Sequence, residues 1–382
     1  MVANALSSIH QLTPAEIGVV IGVMFLSSAL VQIPFGIMLD RFGARRMIVG
    51  WSSVAIIGTV IFGLAETSSG LTVGRTFIGI GHGASITGVY LVALAWASPE
   101  RVASVAATTI AVAGALVGMI GTAPLAASIK YVGFTDTFLY LAVFSLLSSI
   151  LIWFFVDDRP PGTKIENTKE NSKAAILGLL EVIKDRNLWP IFAMALCFSV
   201  PFATIGGLWV GPFLRDIHEL SPTSAGSIIF LMVLCVNLGT YIYGPLDRIF
   251  NTRKWVVLTG VSLMIINLLG LAIFPTAHIA FIIIMLCVFS ISSPIFVTLA
   301  GHCRDYVPEN YVGRALTFVN FLGVGFIFIL QSLTGSLVEI FLVNDFSTLS
   351  GYRIVFGLVA IVLFISGTLY LYSRDVKPFP NK

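Results

Sequence analysis

The 382-residue chain is 57% hydrophobic and only 11% charged, against roughly 25% charged for an ordinary soluble domain. That composition excludes a protein whose main solvent is water, and a net charge of +3 gives no reason to expect nucleic acid. Four cysteines, Cys197, Cys235, Cys287 and Cys303, sit in or beside apolar segments without paired spacing. They read as small buried hydrophobes, with neither a disulfide framework nor a metal site.

Eleven stretches are long enough to cross a hydrocarbon layer, which takes about 20 apolar residues at about 1.5 Å each. They cover residues 15–39, 47–65, 71–96, 102–128, 134–156, 187–214, 222–246, 255–274, 279–301, 311–338 and 352–372. Each is expected to be helical, because lipid offers no partner to backbone N–H and C=O groups. No cleavable signal peptide is visible, since the first Lys or Arg is Arg41 and a charged leading region is missing. The longest polar stretch, residues 157–186, contains Arg159-Pro160-Pro161-Gly162 and six positive against six negative residues. It reads as a solvated linker with a surface helix over residues 174–184.

Positive residues accumulate in cytoplasmic loops, so the 22 Lys and Arg test orientation. With the loop after the first span placed inside, eighteen fall on the cytoplasmic side; Lys130, Arg215 and Arg353 fall outside and Arg75 lies within a span. The amino terminus is therefore expected outside and the carboxyl terminus in the cytoplasm.

An internal repeat organises the chain. Ile9-His10-Gln11-Leu12-Thr13-Pro14 recurs 208 positions later as Ile217-His218-Glu219-Leu220-Ser221-Pro222, and Gly18 recurs as Gly226. Asp40-Arg41 recurs as Asp247-Arg248, each followed by two cations, Arg45-Arg46 and Arg253-Lys254. Pro99-Glu100 echoes Pro308-Glu309, and Gly133-Phe134 echoes Gly351-Tyr352. Copies running in one direction on the same side of the membrane demand an even number of helices each. The second copy shows six and the first five, so most of a first helix is expected to be missing, with residues 1–6 matching its outer tip. An upstream start or a loss of the gene's beginning explains this, and the former is preferred because the remaining spans show no decay. The expected domains are 1–156, a linker over 157–186, and 187–382.

The loop Gly36-Ile37-Met38-Leu39-Asp40-Arg41-Phe42-Gly43-Ala44-Arg45-Arg46 resembles the commonest signature of the major facilitator superfamily, departing mainly at Met38. Its second copy, from Gly244 through Asp247-Arg248 to Arg253-Lys254, is degenerate, and Arg75-Thr76-Phe77-Ile78-Gly79-Ile80-Gly81 is similar to the family's fourth-helix element. The family's antiporter element is matched only loosely by Gly114, Gly118, Gly121 and Pro124. The resemblance implies an all-α membrane protein of two pseudo-symmetric six-helix bundles, here with 5 + 6 spans, rocking around a central site. It implies a gating role for Asp40, Arg41, Arg45, Asp247 and Arg248: Asp40 would latch onto the positive helix end near Pro308-Glu309, and Asp247 would do the same near Pro99-Glu100. Positive-inside anchoring is the alternative for the cations.

Arg75 is the chief candidate to meet a solute, because ionisable groups inside a membrane are costly and face a cavity or a partner; snorkelling to the outer headgroups is the alternative. His82 is a second candidate, weighed against a packed histidine, while Gly79, Gly81 and Gly83 read as close-packing positions. Pro201 through Pro212 suggests a kinked or broken seventh helix, with Trp209 either closing the cavity or belonging to the interfacial belt. Gln32, Asn237, Asn320 and Gln331 are polar groups on helices that line the family's cavity, with interhelical bonding the duller alternative.

These features point to secondary or facilitative transport of a small solute across the cytoplasmic membrane by a monomer. Arg75 favours an organic anion; a coupling proton or ion is a further expected partner, and no cofactor or metal is. A non-transporting membrane protein derived from such a carrier is the second reading. An enzyme is disfavoured, because no His-Glu-x-x-His or Gly-x-Ser-x-Gly element occurs.

Overall fold

The computed structural model describes residues 2–83, 92, 96, 109, 112, 114, 116, 121, 123–157, 172–308 and 311–377. Among these, every regular element is a helix, and nine helices are long and apolar enough to cross a membrane. The expected span over 71–96 is described through residue 83 and at 92 and 96, that over 102–128 falls largely outside the described residues, and Pro99-Glu100, Glu309 and residues 158–171 of the linker lie outside them.

The elements are α1 (Val2–Ile9), α2 (Pro14–Phe42), α3 (Ala44–Leu64), α4 (Ser68–His82), α5 (Ala123–Tyr131), α6 (Phe134–Phe155) and α7 (Ser172–Lys184). They continue with α8 (Trp189–Ala195), α9 (Val200–Thr204), a π-helical segment (Ile205–Trp209) and α10 (Val210–Asp216). The rest are α11 (Pro222–Ile249), α12 (Lys254–Ile273), α13 (Ile279–Ser292), α14 (Phe296–Arg304), α15 (Val312–Val343) and α16 (Thr348–Tyr370). The expected span over 187–214 is thus broken where glycines and prolines crowd it. The π turn follows Pro201 and carries Gly206-Gly207, residues that strip one hydrogen bond and two side chains from the helix.

Helix starts follow local chemistry. Thr13 and Glu16 form a capping box at α2: Thr13 N–H donates to Glu16 Oε2 (2.9 Å) and Glu16 N–H to Thr13 Oγ1 (3.3 Å). In the repeat, Ser221 Oγ accepts from Ser224 N–H (3.1 Å) ahead of Pro222, a residue that suits a first helical position. The 208-residue repeat is visible in the backbone as well. Leu12 N–H reaches Leu6 O (3.3 Å) and Leu220 N–H reaches Leu214 O (3.1 Å). Gln11 (φ 53°) and Glu219 (φ 55°) both have positive φ, and so do Gly43 (φ 83°) and Asn251 (φ 50°).

Two groups of helices pack within themselves: α3 against α4 and α6 in the first, and α12 against α16 and α13 in the second. Gly79 and Gly81, lacking side chains of their own, let α4 pack closely on Met24 O and Ser27 Oγ of α2 and on Ala55 of α3. The groups meet along α2 and α15, and again where α5 meets α11. On the α2–α15 seam the Ala15 N–H donates to Glu339 Oε2 (3.1 Å), Gly18 lies on the Gln331 carbonyl, Gly22 on Phe328, and Asn320 Nδ2 donates to Gln32 Oε1 (2.9 Å).

Candidate functional site

A cavity of about 240 Å³ opens between the two groups. Val2, Ile21, Met24, Phe25, Arg75 and Gly121 line it from one side; Phe202, Ala203, Gly207 and Gln331 line it from the other. Eight of these ten residues are apolar or glycine, and the polar side chains are Arg75 and Gln331. Both were expected from the sequence at the solute site.

Arg75 sits in the second turn of α4, whose start is capped by Thr67 Oγ1 accepting from Gly70 N–H (3.2 Å). Its guanidinium carbon lies 4.6 Å from the ring centroid of Phe62, which is fully buried and packed with Phe134 and Phe138. Such a desolvated cation–π contact contributes about 2 kcal/mol. One terminal N–H points at Met24 Sδ (3.5 Å), a weak acceptor, and the buried Nε has no partner among the described residues. Among the described residues no carboxylate pairs with Arg75.

Gln331 is fully buried on α15. Its Nε2 donates to Ala203 O (3.0 Å), on the turn preceding the π segment. That acceptor fixes which way the amide points, so the other atom is Oε1, and Oε1 is buried beside Gly22 without a partner among the described residues.

The remaining candidates lie elsewhere. Trp209 is buried in the packing of the second group, where its indole N–H donates to Thr334 Oγ1 (2.9 Å) and its ring meets Tyr352 edge-on. It lines neither the cavity nor a lipid-facing surface, because a buried indole N–H finds its partner inside the protein. Asn237 donates back to Val233 O of its own helix (2.9 Å), Gln32 and Asn320 bond each other across the seam, and His82 is exposed at the end of α4.

At the opposite end from Pro14, the charged loops tie helix ends together. Arg45 donates to Asp157 Oδ1 (2.9 Å) and lies over Trp153, joining the start of α3 to the end of α6. The second copy is denser. Arg253 bonds Asp247 (3.2 Å), Gly301 O (2.7 Å) and Asp305, while Asp375 accepts from the backbone of Arg253 (3.3 Å) and Lys254 (3.2 Å) and from Thr252 Oγ1 (2.7 Å). Asp247 is thus held by its own loop. Arg248 is exposed; Asp40 and Arg41 lie in the last turn of α2, with side chains outside those described. Sequence reading missed Glu339 and Asp375, carboxylates that cap helices far away in the chain. Their signal was limited to an acid near the end of an apolar span.

A bundle of membrane-spanning helices in two related groups, with a largely apolar cavity between them holding one cation and one amide, defines a membrane transporter. The chain belongs to the Major Facilitator Superfamily, whose family model matches residues 1–331 and 203–382. It is 26% identical over 324 residues to an uncharacterized transporter of Buchnera aphidicola subsp. Acyrthosiphon pisum, covering 81% of this chain and 78% of that one. It is also 24% identical over 294 residues to a probable anion transporter of Oryza sativa subsp. japonica, covering 69% and 65%. Among solved structures it resembles an inward-facing, occupied bacterial homolog of the human lysosomal transporter Spinster, with a TM-score of 0.76, 17% identity and coverage of 97% and 91%. The nucleoside transporter NupG gives a TM-score of 0.73 at 12% identity, with coverage of 97% and 93%.

Proposed function

We propose that this protein carries a small organic anion across the cytoplasmic (inner) membrane by alternating access, as a monomer with its carboxyl terminus in the cytoplasm. The observation that carries the reading is Arg75, a cation in the cavity between the two helix groups with no carboxylate among the described residues. A charge held among apolar groups needs a counter-charge, and an anionic solute supplies it. The relative described as a probable anion transporter supports the same class. The units that move are residues 1–156 and 187–382, joined by 157–186. In this cycle the α2–α15 seam closes the outer passage, and Asp40, Arg41, Arg45, Asp247 and Arg248 act at the inner one. A proton or ion couples the cycle where transport is active.

The test is counterflow in proteoliposomes loaded with a panel of labelled carboxylates. Saturable exchange of at least one anion is expected, lost in Arg75→Gln and partly kept in Arg75→Lys. Exchange of neutral or cationic solutes that Arg75→Gln leaves intact would overturn the anion assignment.

A further inference from the structure

We infer that Cys235 and Cys287 form a dithiol modification site inside the membrane, which a membrane-permeant two-electron acceptor closes into a disulfide joining α11 to α13. Spacing along the chain conceals the pair, since the two residues stand 52 positions apart; helix packing brings them together. Both thiols are free, and Cys287 has Cys235 as a side-chain hydrogen-bond partner. One turn further along, Gly239 and Ile291 keep the same 52-residue register. A Cβ on Gly239 would stand 2.2 Å from Ile291 O and 3.0 Å from Ile291 C. Beyond them, Tyr243 Oη donates to Ser292 O (3.1 Å). Three successive contacts in step make α11 and α13 parallel neighbours with the two thiols level. A disulfide needs Cα atoms about 4.4–6.8 Å apart, and a glycine contact draws helix axes closer than the usual distance of about 8–10 Å. Gly239 thereby puts the bridge within reach.

The other two cysteines are placed differently. Cys197 is buried and bonds Ser366 Oγ (3.0 Å), and Cys303 is wholly buried. Cys235 and Cys287 are half-buried. Leu231 and Leu238, about one turn to either side of Cys235, and Ile284, one turn before Cys287, are exposed apolar side chains, a surface that lipid chains cover as readily as another helix would. A reagent that partitions into the bilayer therefore reaches the pair, whereas the soluble systems that keep cytosolic thiols reduced stay in water. In the step two S–H bonds break and one S–S bond forms. The acceptor, a compound of the diazene or quinone class, takes up the two electrons and the two protons. Both helices belong to the second group, so the bridge crosses neither seam; it stiffens that group without tying it to the first.

Diamide, a membrane-permeant diazene that leaves as the hydrazine, tests this on the full-length protein in nanodiscs. After treatment, unfolding and labelling with N-ethylmaleimide should count two thiols per chain instead of four. Peptide mass mapping should find Cys235 joined to Cys287 with the loss of two hydrogens, and dithiothreitol should restore all four thiols. Because the bridge closes a loop of about fifty residues, the melting temperature should rise by several degrees. Cys235→Ser and Cys287→Ser should each keep their three remaining thiols through the treatment, while Cys197→Ser should still lose two of its three. Four thiols left in the wild type, linkage of any other pair, single diamide adducts, or cross-linked dimers of the chain would overturn the inference. If the serine variants do not fold, the peptide map of the wild type alone decides.

Discussion

Gly18→Ala is expected to force open the α2–α15 seam. A Cβ at Gly18 would stand 2.5 Å from Gln331 O, 3.2 Å from Gln331 C and 3.3 Å from Ser332 Cα, where ordinary contact is 3.4–4 Å. All three neighbours are backbone, so no rotamer change relieves the clash, and the helices must separate by about 1 Å. Overpacking of this kind costs about 1–3 kcal/mol. In the alternating-access cycle proposed above the cost falls only on the state in which the seam is closed, so the equilibrium is expected to shift about 5- to 150-fold toward the state open at the Pro14 end. A cysteine at the cavity-lining Ile21, in a background lacking the four native cysteines, reports this through its labelling rate with a membrane-impermeant maleimide. Gly357→Ala, where a Cβ meets nothing within 4 Å, controls for the helix propensity that alanine gains over glycine. The reasoning is refuted if Gly18→Ala labels at the Gly357→Ala rate and shows the same melting temperature.

Trp209→Phe removes the bond to Thr334 Oγ1 and should lower unfolding free energy by about 1 kcal/mol, read as a fall in melting temperature with solute exchange retained. Asp375→Ala strips the carboxylate from the start of α12 and should cost about 1 kcal/mol, as loss of a helix cap does; Asp375→Asn should recover part of it. His218, in the loop before α11, has its pKa lowered chiefly by burial, with its bond to Pro275 O opposing. A depressed histidine leaves stability flat above its unfolded pKa of about 6.5 and lets it fall as pH drops through the folded value. Melting temperature should therefore decline on acidification below about pH 6.5, with a shallower slope in His218→Gln.

The helical class and most boundaries were legible in the sequence because lipid admits one solution for an apolar run, and because Thr13-Pro14 and Ser221-Pro222 are chemically readable starts. The repeat was legible for a related reason: turns such as Gln11 and Glu219 need the same unusual backbone. Arg75 stood out as a charge inside a span, and it lines the cavity. Gln331 stood out less, since a glutamine in a span announces a hydrogen bond without naming its partner. Trp209 and Asn237 show the limit. Whether an indole or amide faces a cavity depends on which acceptor lies within about 3 Å, and Thr334, 125 positions from Trp209, is not written locally. Glu339 was illegible for the same reason, because its partner Ala15 is 324 positions away.

The contact between Asp375 and the start of α12 spans 121 positions of chain. During synthesis α12 would enter the bilayer long before the carboxylate that finishes its first turn leaves the ribosome. Its exposed amides must meanwhile rely on water or headgroups, so the second set of helices can reach its final arrangement only after Asp375 has been made and has left the ribosome. Early release of the nascent polypeptide, even with every apolar segment already inserted, would leave that set without its closing tie.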